Sequence, residues 1–597
     1  MAKTGRLSPF LMPRAWLLAS VISAACAPPS SEPSPAAAVK PPPMFTEQAA
    51  ASGLDFVHFN GMSGELYYSE MMGSGVALLD YDGDGDLDVY LVQGAMLGAG
   101  KSPQDALLPP SASMLPLRDR LYRNELAASV AGGSRRLRFT DVTASSGIDA
   151  RGYGMGVAVG DIDNDGWSDL YVTNAGPNQM WRNNGDGTFT DVTAETGTEE
   201  PRWSASATFV DVDRDGWLDL YVVNYVDFTV EGHRLCRSLT GAPDYCGPLT
   251  YRPLRDRLFR NRGDGTFEDR SSLANVLGEL GAGLGVAAGD FDDDGWPDLY
   301  VANDGMPNFL WMNRGDGTFE NQAFAAGCAL NREGRAEAGM GVAVGDVDGD
   351  GDEDVLVTHL ALETNTLYRN QGRALFEDAS IDSALGPPSW PYTGFGTALA
   401  DVDNDGWLDV LAVNGGVKIA PELADRGDPH PLGMPNQLFR NLGSGRFEDS
   451  SARGGSAFSA LEVSRGLATG DIDNDGDVDV VVTNNGGPAR LLINEVGRER
   501  HWVGLRLVTG QGRRDALGAW VGVHRGEAPV LWRRVRTDGS YLSASDPRLL
   551  IGLGASPGVD AVEVRWPSGR REVFEVAAGR YTTLEEGAGS PRRSSVP

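Results

Sequence analysis

Short apolar runs recur along most of the chain, and turns rich in Gly, Asn and Asp separate them. The clearest stretch holds four runs in succession, at residues 154–160, 169–174, 179–183 and 189–193. Their Val, Tyr, Thr, Phe and Trp residues favour β-strands, and the short turns between them favour antiparallel hairpins. Because helical spacing is absent, the pattern predicts a repeated four-stranded antiparallel meander.

The number of runs indicates how the repeats close. The third run recurs as Leu121-Tyr-Arg-Asn, Leu258-Phe-Arg-Asn, Leu310-Trp-Met-Asn, Leu367-Tyr-Arg-Asn, Leu438-Phe-Arg-Asn and Leu492-Ile-Asn. Seven acidic loops, Asp-x-Asp-x-Asp-Gly-x-x-Asp, occur along the chain, but a fourth run follows only six of them. These fourth runs begin at Phe139, Phe189, Phe267, Phe319, Phe376 and Phe447. A matching run at Phe45 precedes every loop, so it would complete the last unit and close a ring without free sheet edges. We predict an all-β fold, a seven-bladed β-propeller followed by a small β-rich C-terminal domain.

An acidic loop, Asp-x-Asp-x-Asp-Gly-x-x-Asp, joins the first and second runs of each unit and occurs seven times. The Asp residues gather hard oxygen ligands and the Gly permits a sharp turn, which suits Ca²⁺ better than Mg²⁺ or a transition metal. The loop is not an EF-hand, because apolar residues such as Leu91 and Val172 replace the bidentate Glu and strands flank it. We predict up to seven Ca²⁺ ions; the alternative is acidic turns that bind cations weakly.

The predicted ligands include the backbone carbonyl of the seventh loop residue as well as the Asp carboxylates. In chain order they are Asp80, Asp82, Asp84, Asp86, Asp88, Asp161, Asp163, Asp165, Trp167, Asp169, Asp211, Asp213, Asp215, Trp217, Asp219, Asp290, Asp292, Asp294, Trp296, Asp298, Asp346, Asp348, Asp350, Asp352, Asp354, Asp401, Asp403, Asp405, Trp407, Asp409, Asp471, Asp473, Asp475, Asp477 and Asp479. Carboxylates this close repel one another, so an empty loop should be strained. A cation that binds only the folded form stabilises it, so a structural role for calcium is expected.

The net charge of −32 argues against a nucleic-acid partner, because phosphate backbones attract basic surfaces. No His-Glu-x-x-His zinc motif is present, and the chain has only 6 His. Seven equivalent structural sites are also hard to reconcile with one active centre. Enzyme activity therefore stays uncertain and is the less favoured alternative.

The N-terminus is typical of an export signal. A basic segment precedes an apolar stretch that ends in Ser23-Ala-Ala-Cys26 and is too short to span a bilayer. We predict a signal over residues 1–26 with lipidation of Cys26, although Ser23 stands where a lipobox usually has Leu; secretory cleavage nearby is the alternative. Residues 27–43, rich in Pro, Ser and Ala, predict a flexible linker to a bacterial cell envelope.

Three Cys remain after Cys26. Cys236 and Cys246 lie within one insertion, and Cys328 stands alone. In an exported protein a Cys236–Cys246 disulfide is expected. A metal site is the alternative, but zinc would require further paired Cys or His.

Three connections between second and third runs are enlarged, at residues 94–117, 225–256 and 415–435. In an antiparallel meander these connections lie on the face opposite the acidic loops. Insertions gathered on one face of a repeat protein often mark a binding side, whereas tolerated surface insertions are the alternative. The candidate partner-binding anchors are Tyr225, Phe228, Tyr245 and Tyr251.

The loops resemble the FG-GAP/VCBS repeats of integrin α-subunit propellers. The C-terminal segment resembles the ASPIC/UnbV domain of the cartilage acidic protein family, on Arg514-Asp-Ala-Leu-Gly-Ala519, Gly539-Ser-Tyr-Leu-Ser-Ala-Ser-Asp546, Arg548-Leu-Leu-Ile-Gly-Leu-Gly554 and Val562-Glu-Val-Arg-Trp-Pro-Ser-Gly569. The resemblance implies a propeller of the integrin α type over residues 44–500 with calcium in its loops. It also implies an ASPIC/UnbV domain over residues 501–586, which leaves a disordered tail over residues 587–597.

Together these features predict an exported, membrane-tethered, calcium-binding propeller that recognises a protein or a glycan. The alternatives are a sugar-active propeller enzyme of lyase or dehydratase type and a cell-surface assembly scaffold. The C-terminal domain carries basic residues at Arg513, Arg514, Arg533, Arg534, Arg536, Arg570 and Arg571. Facing an acidic propeller, they predict intramolecular docking, with an anionic external partner as the rival interpretation.

Overall fold

The computed structural model describes residues 42–126, 136–238, 241–418, 431–510 and 513–591. The predicted signal segment, Cys26 and nearly all of the linker lie outside these residues. Every element below belongs to the compact unit Pro43–Pro597. In the described part of the chain, no helix combines the length and apolar character needed to cross a membrane.

Seven four-stranded antiparallel sheets form most of this unit, and within each sheet every strand pairs with the strand named after it. Sheets 1 to 3 comprise Val76–Leu79, Asp88–Leu91, Arg120–Asn124 and Phe139–Asp141; Gly154–Gly160, Asp169–Asn174, Gly176–Asn183 and Phe189–Asp191; and Ser204–Val210, Asp219–Asn224, Arg257–Asn261 and Phe267–Asp269. Sheets 4 and 5 comprise Gly283–Gly289, Asp298–Asn303, Phe309–Asn313 and Phe319–Asn321; and Val342–Gly345, Asp354–Val357, Thr366–Asn370 and Phe376–Asp378. Sheets 6 and 7 comprise Gly394–Ala400, Asp409–Asn414, Gln437–Asn441 and Phe447–Asp449; and Ser464–Gly470, Asp479–Asn484, Arg490–Asn494 and Phe45–Glu47.

The sheets are arranged in a propeller-like ring. The first strand of each sheet contacts the first strand of the next, and that of sheet 7 contacts that of sheet 1. The N-terminal strand pairs with the third strand of sheet 7, with Phe45 opposite Asn494 and Glu47 opposite Leu492. The all-β fold is therefore confirmed, and the run at Phe45 completes the last sheet as its position predicted.

Helices in the described residues are single turns at the ends of strands and within connections. The α-helical turns are Ala49–Ser52, Thr143–Ser146, Thr193–Thr196, Ala323–Ala326, Gly386–Ser389 and Ser456–Ser459. The 3₁₀ turns are Tyr68–Met71, Pro103–Asp105, Ala112–Met114, Pro248–Thr250, Val276–Gly278, Ser451–Arg453 and Gly497–Glu499. Their shortness agrees with the absence of helical spacing in the sequence.

An Asn at the end of each third strand ties neighbouring sheets together. Asn441 Nδ2 donates to the carbonyl of Val347 in the preceding sheet at 2.8 Å and to that of Leu408 in its own loop at 3.0 Å. The equivalent contacts are made by Asn124, Asn183, Asn261, Asn313, Asn370 and Asn494. These buried amides satisfy loop carbonyls that strand pairing leaves free, and the contact from Asn124 to Ile472 carries the series across the closure of the ring.

The C-terminal domain contains two further sheets. One has the order Leu549–Gly554, His501–Val508, Tyr581–Glu585, and the other the order Ala528–Arg534, Trp520–Arg525, Ala561–Arg565, Arg571–Phe574, Ser590–Pro591. The last strand pairs with Glu572 and Val573. The predicted tail over residues 587–597 is therefore wrong for its first part, because Ser590–Pro591 extends the domain's sheet; residues 592–597 lie outside the described chain.

Residues 537–546 of the C-terminal domain, which we call the axial segment, enter the centre of the ring. Backbone hydrogen bonds join them to the first strands of sheets 1, 2, 5 and 7, through Leu78, Val157, Val342 and Thr469. Polar side chains join them to sheets 3 and 4, and the Tyr541 ring contacts the Phe395 ring of sheet 6 with centroids 4.8 Å apart. One segment meets all seven first strands, which requires that it lie on the axis of the ring.

Two of the three insertions are described in full or nearly so. Cys236 and Cys246 form the predicted disulfide across the short hairpin Cys236–Arg237 and Pro243–Asp244. Within the described residues Cys328 is buried and forms no disulfide. The segment between the N-terminal strand and the first strand of sheet 1 connects the insertions. Its Glu65 pairs with Lys101 of one insertion, and its Tyr67 ring packs on the His233 ring of the other. The insertions at 94–117 and 225–256 therefore form one continuous surface. Much of the third insertion lies outside the described residues.

Candidate metal centres

Each acidic loop joins the first and second strands of a sheet, and loops 1 to 7 are numbered with their sheets. In at least five of the loops, as far as the chain is described, three carboxylates place one oxygen each within 4.8 Å of one another. The groups are Asp80, Asp82 and Asp88; Asp161, Asp163 and Asp169; Asp211, Asp213 and Asp219; Asp290, Asp292 and Asp294; and Asp346, Asp348 and Asp354. The structure thus brings together residues that the sequence placed at loop positions 1, 3 and 9, or 1, 3 and 5 in loop 4.

The Asp at loop position 9 is fixed by backbone donors. In loop 2, Asp169 Oδ2 accepts from the backbone N–H of Ile162 at 2.8 Å and Oδ1 from that of Asn183 at 2.7 Å. The same two bonds recur at Asp88, Asp219, Asp298, Asp354, Asp409 and Asp479. Each carboxylate therefore has one orientation, and each oxygen keeps a lone pair for a cation.

The Asp at position 1 closes the loop. Asp161 Oδ2 accepts from the N–H of Gly166 at 2.8 Å, and its Oδ1 accepts from the N–H of Asp165 at 3.2 Å. Gly166 has a φ of 93°, a conformation that favours Gly at this sharp turn. The bond to the loop Gly is present in all seven loops, at Gly85, Gly166, Gly216, Gly295, Gly351, Gly406 and Gly476.

The Asp at position 3 has a different environment. Among the residues that the structure describes, its Oδ1 is buried without a hydrogen-bond partner in five loops, at Asp82, Asp163, Asp213, Asp348 and Asp473. A buried carboxylate oxygen without a donor is costly, since an unmet charged acceptor loses its hydration without compensation. Asp80, Asp475 and Asp477, at other loop positions, have a similar oxygen, but position 3 is where it recurs from loop to loop. Carboxylate oxygens are the ligands that a hard cation prefers.

The pKa values of the loop carboxylates show the same crowding of negative charge. Burial raises the pKa of Asp161 to about 7, with the charges of Asp165 and Asp163 adding to the rise. Burial also raises the pKa of Asp169 well above its usual range, against the lowering effect of its two backbone hydrogen bonds. The loops therefore hold negative charge at a cost that a bound cation would remove.

Arginines of the third strands neutralise part of this charge. Their role at the loops was not predicted from the sequence. Arg440 Nε donates to Asp403 and its Nη2 to Asp405, each at 2.8 Å. Arg260 occupies the equivalent place and donates to Asp213 and Asp215. The Arg-Asn pair repeated in the third runs was the available signal, since the Arg precedes the clamping Asn. Sheet 4 has Met312 at this position.

Trp at loop position 7 lies over the turn between the third and fourth strands. The Trp167 side chain would contact a Cβ atom on Gly185, and Trp217 and Trp296 cover Gly263 and Gly315 in the same way. The Trp167 backbone N–H donates to Asp165 Oδ1 at 2.9 Å. The loops and the third-to-fourth turns therefore share one face of the ring, as predicted.

The C-terminal domain covers this loop face. Arg565 Nη1 donates to Asp293 Oδ1 at 2.7 Å, Arg514 lies 3.8 Å from Asp211, and Tyr581 donates to Asp471 Oδ2 at 3.1 Å. The predicted intramolecular docking is thus observed for Arg514. It is also observed for Arg534 and Arg536, which pair with Glu353 of loop 5. By contrast, Arg570 lies near acidic groups of its own domain.

Glu353 is the main anchor between the domains. Its Oε2 lies 2.7 Å from Arg534 Nη2, its Oε1 lies 2.6 Å from Arg536 Nη2, and its side chain is 1% exposed. Burial alone would raise its pKa, but the charges of Arg534 and Arg536 outweigh burial and lower it. The buried carboxylate therefore stays ionised with two cationic partners.

The predicted anchors on the opposite face take another role. Tyr225, Tyr245 and Tyr251 are buried and Phe228 is partly buried, in one cluster that also contains Tyr541 of the axial segment. Tyr225 Oη lies 2.5 Å from Tyr68 Oη and also donates to Asp304. The expectation that these tyrosines present their rings to a partner is wrong, because each ring packs inside the protein.

The sequence matches the family description FG-GAP-like repeat over residues 161–222, 241–301, 290–357 and 424–482, and the description ASPIC and UnbV over residues 509–591. Two similar proteins are cartilage acidic protein 1 of Xenopus tropicalis, 28% identical over 337 residues (52% of this chain, 46% of that protein), and of Homo sapiens, 28% identical over 346 residues (53% and 46%). The match thus spans about half the length of these relatives. A solved structure described as YCF48 bound to D1 peptide has a TM-score of 0.36 and 8% identity, covering 71% of this chain and 92% of that chain.

Proposed function

We propose that this chain, a propeller-like FG-GAP repeat protein with a C-terminal ASPIC and UnbV domain that is related to cartilage acidic protein, is an exported, calcium-binding module that recognises a protein or a glycan. Calcium would hold the loop face in shape, and the partner would bind the opposite face. The observation that carries the proposal is the buried, unpartnered Oδ1 of the Asp at loop position 3, repeated in five loops.

Calcium fits these loops for a physical reason. Positions 1 and 9 already use backbone N–H groups to orient their carboxylates, so the oxygens are arranged before a cation arrives. Ca²⁺ accepts several oxygen ligands in a flexible geometry, whereas Mg²⁺ demands a near-ideal octahedron and retains water. Thiol and imidazole ligands, which transition metals favour, do not belong to the five acidic groups.

Export is supported by the disulfide and by the N-terminal sequence. Disulfides persist in oxidising compartments, and Cys236–Cys246 forms in this structure. The segment that ends at Cys26 matches a lipobox except at Ser23. A lipid on Cys26 would tether the protein through residues 27–43. Labelling with a radioactive fatty acid tests this: label should enter the wild type and be absent from Cys26→Ser.

We choose the partner face by excluding the surfaces of the ring that other parts of the chain already cover. The C-terminal domain occupies the loop face, and the axial segment fills the centre of the ring. The insertions at 94–117 and 225–256 remain, and they expose Leu107, Leu235 and Leu249, at 60%, 76% and 73%. Exposed apolar side chains on one continuous surface favour contact with a partner, so these leucines replace the tyrosines as candidate contact residues.

A binding screen tests the function. The protein from residue 27 onward is applied to arrays of glycans and secreted proteins, with calcium or with a chelator. We expect a hit that is lost from the triple variant Leu107→Ser, Leu235→Ser, Leu249→Ser and retained by Leu442→Ser. Leu442 is 53% exposed but lies in a turn on the loop face. Equal binding by the triple variant would refute this partner face, and turnover of a glycan would favour the enzyme alternative.

A further inference from the structure

A cavity of about 260 Å³ lies between loops 3 and 4 and the C-terminal domain. Phe209 and Ala288 line it from the ring, and Leu517, Trp566 and Arg536 line it from the domain. Its floor is buried and its rim reaches solvent near residues 569–571. The size is close to the lower end of the usual range for small-molecule sites, which begins at roughly 300 Å³.

Asp538 extends from the axial segment to this cavity, and only one of its two carboxylate oxygens accepts hydrogen bonds. Oδ2 accepts from the Ala288 N–H at 2.7 Å and from Thr208 Oγ1 at 2.9 Å. Oδ1 is buried and has no hydrogen-bond partner in the part of the chain that the structure describes, in a side chain that is only 6% exposed. The two bonds to Oδ2 hold the carboxylate in place, so Oδ1 is a positioned acceptor without a donor.

Two hydrogen-bond donors of residues that line the same cavity also lack an acceptor among the described residues. Arg536 Nη1 and Trp566 Nε1 are buried and have no hydrogen-bond partner within the described ranges, and Trp566 is 3% exposed. Arg536 Nη1 lies 3.9 Å from Asp538 Oδ1, which is too far for a hydrogen bond. An unmet buried polar group is costly, and a ligand that accepts twice and donates once would satisfy all three atoms.

The charge of the lining favours an anion once the loops hold calcium. The lining residues include five Arg and five Asp. Three of these Asp, at positions 211, 290 and 294, belong to the predicted sites of loops 3 and 4. Calcium there would offset their charge and make the lining more positive, although Arg534 and Arg536 share the charge of Glu353. The preference for an anion therefore rests on the proposed calcium binding. The part of the argument that uses the unpartnered hydrogen-bonding atoms is independent of calcium.

We propose that this cavity is a binding site for a small hydroxylated carboxylate of the size of a single sugar acid. The ligand carboxylate accepts from Arg536 Nη1 and Trp566 Nε1, and a ligand hydroxyl donates to Asp538 Oδ1. Arg536 is a suitable partner because guanidinium–carboxylate hydrogen bonds are stronger than neutral ones. The site lies on the loop side of the ring, so it is distinct from the partner face formed by the insertions.

Titration calorimetry on the calcium-loaded chain from residue 27 onward tests the site with D-glucuronate as probe. We expect one saturable site, with at least roughly tenfold weaker binding of D-glucose, which lacks the carboxylate, and of acetate, which lacks hydroxyl groups. Trp566→Phe removes one donor and should weaken glucuronate binding by about tenfold. Asp538→Asn should erase the preference for glucuronate over acetate.

Trp181→Phe is the matched control, because Trp181 is also buried with an unpartnered Nε1 but lies in sheet 2, away from the cavity. It should leave glucuronate binding unchanged. If Asp538→Asn does not fold, Trp566→Phe still decides the matter, since it keeps an aromatic side chain. Equal affinity of Trp566→Phe and wild type would overturn the site, as would binding of inorganic sulfate in place of glucuronate.

Metal analysis of the same samples separates this proposal from the proposed function. Calcium-loaded protein that does not bind glucuronate contradicts the cavity site alone. Protein that binds glucuronate without calcium contradicts the charge argument. A chain that holds no calcium and binds no glucuronate contradicts both.

Discussion

The carbonyl oxygen of Leu542 lies 1.7 Å from the position that a Cβ atom on Gly75 would take. A Cβ on Gly156 would lie 3.0 Å from the same oxygen. At these two positions the inner wall of the ring has no room for a side chain where the axial segment passes. The axial segment therefore accounts for Gly75 and contributes at Gly156, whereas a Cβ on Gly285, Gly341 or Gly396 would meet the chain of the neighbouring sheet.

The contact between Gly75 and Leu542 predicts a defect in Gly75→Ala. The added methyl group must push the axial segment aside, which costs about 1–3 kcal/mol for an overpacked site. We expect a lower midpoint of thermal unfolding by calorimetry. Gly558→Ala is the control, since a Cβ there meets nothing within 4 Å. Equal midpoints would show that the segment moves without cost.

Glu353→Gln removes the charge that Arg534 and Arg536 share. Two guanidinium groups, on side chains that are 11% and 18% exposed, would lose their buried anion, and breaking a buried ion pair costs about 3–5 kcal/mol. The free energy of unfolding in urea should fall by that amount. Glu377→Gln, an exposed change in the same sheet, should leave it unchanged. A small effect at Glu353 would mean that the arginines find other partners.

Asp163→Asn should abolish calcium binding in loop 2 while leaving the fold intact. The substitution weakens the one ligand whose Oδ1 has no protein donor. Metal analysis of dialysed protein should show about one calcium fewer than wild type, by one site per loop. Asp186→Asn changes an exposed Asp in the same repeat that bonds Thr188, so its calcium content should match wild type.

Removal of calcium should destabilise the ring. A chelator frees the clustered carboxylates to repel one another, and a ligand that binds only the folded state stabilises it by about 2.7 kcal/mol per site at a hundred times its Kd. The thermal midpoint should fall with chelator, recover with Ca²⁺ and recover less with Mg²⁺. A midpoint that ignores the chelator would contradict a structural role for calcium.

Asn441→Ala tests the tie between sheets 5 and 6. It leaves the carbonyls of Val347 and Leu408 without their side-chain donor, at about 1–3 kcal/mol for each unmet group. Urea unfolding should shift to lower concentration. Asn184→Ala removes an exposed amide that bonds nearby threonines, and it should unfold like wild type.

Much of the fold was predictable because its signals are local. Strand alternation, the turn residues and the acidic loop each lie within a few neighbouring residues, and comparing six fourth runs with seven loops placed the strand at Phe45. The Cys236–Cys246 bond is local as well. The tyrosines of the insertion were misplaced because exposure depends on packing: Tyr225 meets Tyr68 across 157 residues of chain.

The repeat, the position of the acidic loops and the residue types that gather oxygen around them depend on spacing along the chain, so they could be read from the sequence alone. What fills the ring and which loop oxygen lacks a donor depend on how distant segments pack, so they became visible only in the folded protein. These features arise from contacts such as that between Gly75 and Leu542, which lie far apart in the chain. No local pattern encodes such contacts, because their energy exists only once the ring has closed around the axial segment.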